Sequence, residues 1–287
     1  MTYKKKPSWL RMPERGSEEA AKVRSILRKY SLDTVCRQAM CPNLGHCFQR
    51  GTATFLILGN RCTRSCRYCA IEHSEGFLDK PDANEPERLA EAAAEMELRY
   101  VIITSVTRDD LEDGGAGHFA NTVKAVREKI SGARIEVLTP DFRGNSDALK
   151  VIADAGPDVF NHNLETVERL FPDVRPEASY GMSLEVLELY GKLAPSTPRK
   201  SGLMLGLGET EIEIRNALQD LRGKGVTMLT LGQYLQPSRK HWPVDRYVTP
   251  DEFDAWKDEA LAMGFVSAAS APLVRSSFHS DIYSGLT

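Results

Sequence analysis

Cysteine is absent from almost the whole of this 287-residue chain: none precedes position 36 and none follows position 69. The six that exist form two triplets, Cys36-x4-Cys41-x5-Cys47 and Cys62-x3-Cys66-x2-Cys69. Cysteines used as small buried hydrophobes would be scattered, whereas thiolates gathered in short loops are what an iron–sulfur cluster or a zinc ion requires. No stretch of 18 apolar residues occurs, which excludes an ordinary membrane-spanning helix. Charge of either sign is not in excess: 37 basic against 40 acidic residues leave a net charge of −3, so no general attraction to nucleic acid or anionic membrane is expected. The short basic start Lys4–Lys6 reads as a solvated tail. Met1–Arg15 lacks the apolar centre and small-residue cleavage site of a secretory signal. A cytoplasmic protein is expected, and a reducing cytoplasm argues against pairing the six thiols as disulfides. No repeat or low-complexity tract is present, and 41% apolar residues suffice for a large core, which excludes disorder for most of the chain.

From position 52 onward, short β-branched runs alternate with amphipathic helical patterns. Thr54–Leu58, Tyr100–Thr104, Arg134–Leu138, Asp158–Asn161, Gly202–Gly206 and Val226–Leu231 are continuous enough in apolar character to be strands buried on both faces. Between them, Phe119, Val123, Val126 and Ile130 keep helical spacing. Thr210 with Glu213 predicts a capping box, and Thr249-Pro250-Asp251-Glu252 predicts a second one opening a helix that Gly264 stops. Such repeated units mean a parallel α/β fold, either doubly wound or a barrel. Six units are too few for an eight-unit barrel, so the predicted fold class is α/β with a partial (β/α)6 TIM-type barrel, open along one side in a way that suits a large substrate.

The residues following the strands favour the barrel. Asn60 to Cys69, Thr104-Ser105, His162-Asn163 with Glu165, Gly206 with Glu209, and Gln233-Tyr234 are polar or glycine. The carboxyl-end loops of a barrel converge on one mouth. The predicted division is 1–51 as an N-terminal extension, 52–264 as the barrel and 265–287 as a C-terminal tail closing over the mouth. In the extension Ser17 can cap a helix whose Val23, Ile26, Leu27 and Tyr30 share a face.

Three thiolates from one loop can hold three irons of a cubane and leave the fourth open to a cofactor. Zinc stays open on the residues alone, because Cys62, Cys66 and Cys69 with His73 make a plausible Cys3His set. A structural zinc knuckle, however, has no reason to occupy a catalytic mouth.

The C-x3-C-x2-C loop, with Tyr68 before its last cysteine, after the first strand of a partial barrel, resembles the radical S-adenosylmethionine superfamily. Gly202-x-Met204-x-Gly206-x-x-Glu209 is similar to its fifth-strand glycine motif, with methionine for isoleucine. The resemblance implies S-adenosylmethionine contacts from Tyr68, Thr104, Ser105, Asn163, Glu165, Arg175, Gly206 and Glu209, and a 5′-deoxyadenosyl radical as the reactive species. The first triplet narrows the likeness. Cys36-x4-Cys41-Pro42-Asn43-Leu44-Gly45-x-Cys47, Gly51-Thr52-Ala53-Thr54-Phe55, Arg108-Asp109-Asp110-Leu111, Asp113 to Phe119, Val159 to Asn163, Gly232 to Ser238 and Arg275-Ser276-Ser277 resemble the lipoyl synthase family.

By that resemblance, Cys62, Cys66 and Cys69 hold one 4Fe–4S cluster, and Cys36, Cys41 and Cys47 hold an auxiliary one. The fourth auxiliary ligand would be Ser277, with Ser276 as second choice and Arg275 beside the cluster. A serine oxygen is a hard, poor ligand next to three soft thiolates and would detach readily, as suits a cluster that surrenders sulfur. Phe278 and Ser280 stand where the family has tyrosine and alanine. The implied reaction inserts two sulfur atoms at C6 and C8 of an octanoyl chain on a lysine of a lipoyl carrier domain, using two S-adenosylmethionine. The implied partners are that octanoylated carrier, an electron donor such as flavodoxin or ferredoxin, and an iron–sulfur carrier for cluster rebuilding; nucleic acid and membrane are not expected. The rival enzyme is of the biotin synthase type, which would lack the first triplet, and the rival non-enzyme is a zinc-binding interaction protein with two knuckles. His162 suits a hydrogen-bonded barrel histidine as well as a substrate contact, and His46, His118, His241 and His279 carry no ligand argument. Trp242 and Trp256 read as packing residues, and Glu85–Glu97 as a solvated helix face.

Overall fold

The computed structural model describes residues 5–11, 18–39, 41, 43–49 and 53–277. The readings made above for Lys4, Ser17, Pro42, Gly51, Thr52, Phe278, His279 and Ser280 lie outside the described residues. In chain order the described strands are β1 (Asp33–Thr34), β2 (Thr54–Ile57), β3 (Arg61–Cys62), β4 (Glu72–His73), β5 (Tyr100–Ser105), β6 (Arg134–Leu138), β7 (Val159–Asn161), β8 (Arg199–Leu205), β9 (Met228–Gln233) and β10 (Ser267–Ser270). The helices are α1 (Glu18–Lys29), α2 (Val35–Gln38), α3 (Leu44–Gln49), α4 (Glu85–Glu95), α5 (Ala116–Lys129), α6 (Ser146–Ala155), α7 (Phe171–Val174), α8 (Tyr180–Leu193), α9 (Glu211–Gly223) and α10 (Pro250–Ala262).

One sheet runs β1-β2-β5-β6-β7-β8-β9-β10, with every pair parallel except β1 with β2. Helices α4, α5, α6, α8, α9 and α10 make the crossovers, the arrangement that parallel neighbours need. β1 and β10 end the order unpaired with each other, so the barrel is partial and open there. The six predicted strands are all present, and β10 adds a seventh parallel strand inside the segment read as a tail. Its sequence, Ser-Ala-Ala-Ser, lacks the branched apolar run that marks the other strands.

Local chemistry explains the helix ends. Thr210 and Thr249 each accept from the N3 backbone while Glu213 and Glu252 reach back to the cap, which makes both predicted boxes. Gly264 follows α10 at φ +92°, the left-handed position that stops a helix cheaply only as glycine. Phe119, Val123 and Val126 of α5 are buried against the sheet. In the extension, Ala20, Val23, Ile26 and Leu27 bury the apolar face of α1, and Lys29 and Tyr30 bond Glu95 of α4. The acidic segment after Asn84 is not solvated throughout: the Glu85 carboxylate accepts from the Leu58 amide at 2.9 Å and meets His118 Nε2 at 2.7 Å, fastening the end of β2.

Candidate active site at the barrel mouth

The loop after β2 carries the second cysteine triplet and is clamped from several directions. β3 and β4 pair across it, Arg61 opposite Glu72 and Cys62 opposite His73, and the Ser74 amide donates to the Cys62 carbonyl at 2.9 Å. The Cys62 Sγ accepts from the amides of Arg64 and Thr107 at 3.4 and 3.3 Å. Arg64 is buried and forks between Asp109 and Asp141, with nitrogen–oxygen distances of 2.6 to 3.0 Å. Those two carboxylates bring the loops after β5 and β6 to the cysteine loop, and Arg64 in turn holds the Asp141 carboxyl down at about 2 against its burial. On the other flank the Arg67 amide donates to Val174, the Trp242 amide to Arg67, and His241 Nε2 lies 3.0 Å from the Cys69 carbonyl. Burial pushes the Cys66 thiol up and the Cys69 thiol to about 12. Buried thiols of this kind carry charge only where a metal centre takes it up.

Beside this loop the structure gathers Tyr68, Glu165 and Arg175. The Tyr68 hydroxyl bonds Glu165, and burial raises both groups. Glu165 stands at φ +72°, a left-handed conformation that a residue with a side chain holds only when its surroundings impose it. Asn163 Nδ2 donates to Glu165 at 3.2 Å, and Arg175 reaches the Asn163 carbonyl at 3.2 Å while its guanidinium lies 5.0 Å from the Phe171 ring centre. Several buried polar atoms facing this region have no partner among the described residues: Ser105 Oγ, Thr139 Oγ1, His162 Nε2, Asn163 Oδ1 and Arg175 Nε. So many orphaned groups in one mouth mark a place shaped for a polar ligand, because buried polar groups are otherwise paired. Thr104 differs from Ser105 here, since its hydroxyl donates to the Leu138 carbonyl at 2.9 Å. His162 keeps Nδ1 2.9 Å from the Thr139 carbonyl, and burial lowers it to about 4, so it is neutral at physiological pH.

Gly206 and Glu209 act together in shaping a turn. The Glu209 carboxylate accepts from the amides of Gly206 and Leu207 at 2.6 and 2.8 Å. A Cβ on Gly206, at φ +96°, would run into the Arg246 carbonyl oxygen. Glu209 therefore shapes the turn that follows β8.

The first triplet reaches the same mouth by way of the chain's end. Cys36 is the second residue of α2 and is buried, which pushes its thiol to about 11; the Cys41 amide returns to the Cys36 carbonyl at 3.0 Å, and the Cys47 amide donates to the Asn43 carbonyl at 2.8 Å. Asn43, buried, sends its Nδ2 to the Leu273 carbonyl at 2.6 Å. The segment after β10 then crosses Gly232, where a side chain would meet the Val274 backbone, and Ser276 Oγ receives a hydrogen bond from Asn163 Nδ2. Between them the Arg275 guanidinium lies within electrostatic reach of both Cys41 and Glu165; burial lowers it and those two groups oppose the effect. Ser277 is half-buried in the turn that ends the described chain.

The donor sets fit iron–sulfur clusters: two groups of three cysteines, none in a disulfide, each in a backbone-fastened loop. Among the described residues no three His, Cys, Asp or Glu side chains converge as a single ion requires, and His73, the fourth member of the Cys3His set, is exposed. Sequence reasoning missed the Arg64–Asp109–Asp141 clamp and the orphaned Thr139. The only available signals were an arginine inside the cysteine loop and the Asp109-Asp110 pair, and neither names its partner.

Residues 56–221 match the family model described as the Radical SAM superfamily. A lipoyl synthase of Cronobacter sakazakii (strain ATCC BAA-894) is 55% identical over 280 residues, covering 97% of this chain and 87% of that protein. The same figures describe a lipoyl synthase of Escherichia coli O1:K1 / APEC, at 55% identity over 280 residues with 97% and 87% coverage. Among solved structures, Streptococcus suis SuiB bound to S-adenosylmethionine superposes with a TM-score of 0.59 at 11% identity, covering 79% of this chain and 52% of that one. The [FeFe]-hydrogenase maturase HydG gives a TM-score of 0.59 at 15% identity, with 74% and 50% coverage. At such identities the structural likeness concerns the fold alone.

Proposed function

Because this chain belongs to the lipoyl synthase family of the radical S-adenosylmethionine superfamily, we propose that it inserts two sulfur atoms at C6 and C8 of an octanoyl chain amide-linked to a carrier-domain lysine. Two 4Fe–4S clusters and two S-adenosylmethionine serve this reaction in the proposal. When bound, these groups supply hydrogen abstraction from unactivated carbon at one cluster and sulfide at the other. An alkyl C–H has no acidity that a general base could exploit, so no arrangement of this chain's own side chains performs the step alone.

The protein's residues bind and orient. Cys62, Cys66 and Cys69 hold the cluster that meets S-adenosylmethionine. Ser105 Oγ, Asn163 Oδ1 and Arg175 Nε, without partners among the described residues, are the atoms that receive that cofactor in the proposal. Tyr68 and Glu165 brace one another beside it, Thr104 anchors the end of β5 to β6, and Glu209 holds the Gly206 turn open. Cys36, Cys41, Cys47 and Ser277 hold the auxiliary cluster. The observation that supports the reading is the segment after β10: it accepts from Asn43 of the first cysteine loop at Leu273 and from Asn163 of the mouth at Ser276, with half-buried Arg275 between the two contacts.

Reducing electrons come from a flavodoxin or ferredoxin in this proposal, cluster rebuilding from an iron–sulfur carrier, and the setting is the cytoplasm. Among the described residues no helix is long and apolar enough to cross a membrane. The segments 1–51, 52–264 and 265–287 divide the work as first cluster loop, barrel and closing tail, with β10 tying the tail's start to the sheet. The test is anaerobic purification and assay with an octanoylated carrier peptide. Brown protein with about eight irons per chain and a product heavier by two sulfurs is expected; colourless protein with stoichiometric zinc and no product contradicts it.

A further inference from the structure

The Cys66–Cys69 loop has an outer face, and that face carries unpaired positive charge. Arg67, Arg239 and Lys240 are exposed, and none of them has an ion-pair partner among the described residues. The nearby carboxylates are engaged elsewhere or stand apart: Glu177 accepts from Ser65, and neither Asp173 nor Asp245 pairs with any of the three cations. What sets these three apart from other exposed cations is their place: the turn that carries Arg239 and Lys240 is hydrogen-bonded to the cysteine loop that carries Arg67.

The turn that carries Arg239 and Lys240 is held in place. The His241 amide donates to the Ser238 carbonyl at 3.1 Å, Ser238 Oγ lies 2.8 Å from His241 Nδ1, and Gln236 Nε2 donates to the His241 carbonyl at 3.0 Å. Trp242 sends Nε1 to the Leu207 carbonyl at 2.9 Å, and the Arg67 guanidinium lies 4.7 Å from its ring centre. The same turn touches the cysteine loop directly, through His241 Nε2 at 3.0 Å from the Cys69 carbonyl and the Trp242 amide at 2.7 Å from that of Arg67. Trp242, read as a packing residue, therefore joins the basic turn to the cluster loop.

We infer that Arg67, Arg239 and Lys240 form the docking surface for a small acidic one-electron carrier protein. This rests on the reading of Cys62, Cys66 and Cys69 as ligands of a reducible cluster. Electron transfer falls steeply with distance, so a donor must settle where the ligand loop itself reaches the surface, and Arg67 lies between two of the ligands. Unpaired cations on a rigid turn raise the encounter rate of an acidic partner and orient it, while adding little to the affinity of neutral ones.

The test compares wild-type protein with the Arg239→Glu/Lys240→Glu double variant, both loaded with clusters, by S-adenosylmethionine cleavage driven either by reduced flavodoxin or by dithionite. At low salt the flavodoxin-driven kcat/KM should fall about tenfold in the variant. Added salt should slow the wild type and leave the charge-reversed variant unslowed or faster, because screening relieves its repulsion of an acidic donor. Dithionite-driven cleavage should be equal in the two proteins, and Arg239→Lys should behave as wild type. Equal flavodoxin-driven rates would overturn the inference, as would a parallel loss with dithionite. A raised KM for the octanoylated carrier with unchanged donor kinetics would assign the face to that partner instead. A wild-type protein that cleaves no cofactor even with dithionite would remove the underlying cluster reading, and the docking surface with it.

Discussion

Replacing Gly232 by alanine isolates the contribution of the chain's end. The added Cβ would sit inside contact distance of the Val274 carbonyl oxygen and 3.0 Å from its carbonyl carbon. Both sides of that clash are backbone, so no rotamer relieves it and the crossing segment must move. The segment is held by the Ala271 amide on Leu231 at 3.2 Å, the Gln233 amide on Pro272 at 3.2 Å and Asn43 on Leu273 at 2.6 Å. At about 1 kcal/mol net for each bond, the hold is roughly 3 kcal/mol, and an overpacking cost of about 1–3 kcal/mol is of the same size. The docked tail should then lose about tenfold or more of its population, since about 1.4 kcal/mol is a factor of ten. Arg275, Ser276 and Ser277 leave with it, whereas the cysteine loop and its Arg64 clamp are untouched. Sulfur insertion should fall at least about tenfold by that population estimate, with S-adenosylmethionine cleavage retained and amide exchange faster across 271–277. A Gly232→Ala protein with wild-type product formation would refute the claim that this crossing delivers the tail to the mouth.

Two further outcomes follow from the two loops. Cys36→Ala should retain reductive cleavage of S-adenosylmethionine and lose sulfur transfer, while Cys66→Ala should lose both; lipoyl product from the Cys36 variant, scored by mass, would contradict the donor role of the first triplet. The Asp141 carboxyl, depressed to about 2 by Arg64, contributes stability that is full above the ordinary carboxylate pKa of about 4 and is lost as pH falls from there toward 2. Asp141→Asn should lower the urea midpoint at pH 7 and flatten its fall between those pH values, and an unchanged pH profile would show that the pair does not hold the loop.

Much of the barrel was legible because its strands are buried on both faces and so read as unbroken apolar runs. β10 was not, since Ser267 to Ser270 are small and lack a branched apolar run, although Ala268, Ala269 and Ser270 are buried and Ser270 Oγ bonds the Phe253 carbonyl of α10 at 2.7 Å. Both capping boxes could be read because their partners lie three residues apart. The clamp on the cysteine loop could not, because Arg64 and Asp141 are 77 positions apart and only the closed fold brings them together. Candidate mouth residues were recognisable as polar groups after strands. Which of their atoms remain free depends on backbone partners, as the contrast of bonded Thr104 with orphaned Ser105 shows.

The central claim is that thiolates 36, 41 and 47 present sulfide to a fatty chain activated at the other triplet. Rebuilding both clusters anaerobically with 34S-sulfide, then weighing the carrier peptide product after a single turnover without added sulfide, tests it directly. Two 34S atoms in the wild-type product, and none incorporated by the Cys36→Ala protein, are the predicted result. Product sulfur of natural isotopic composition would contradict the account.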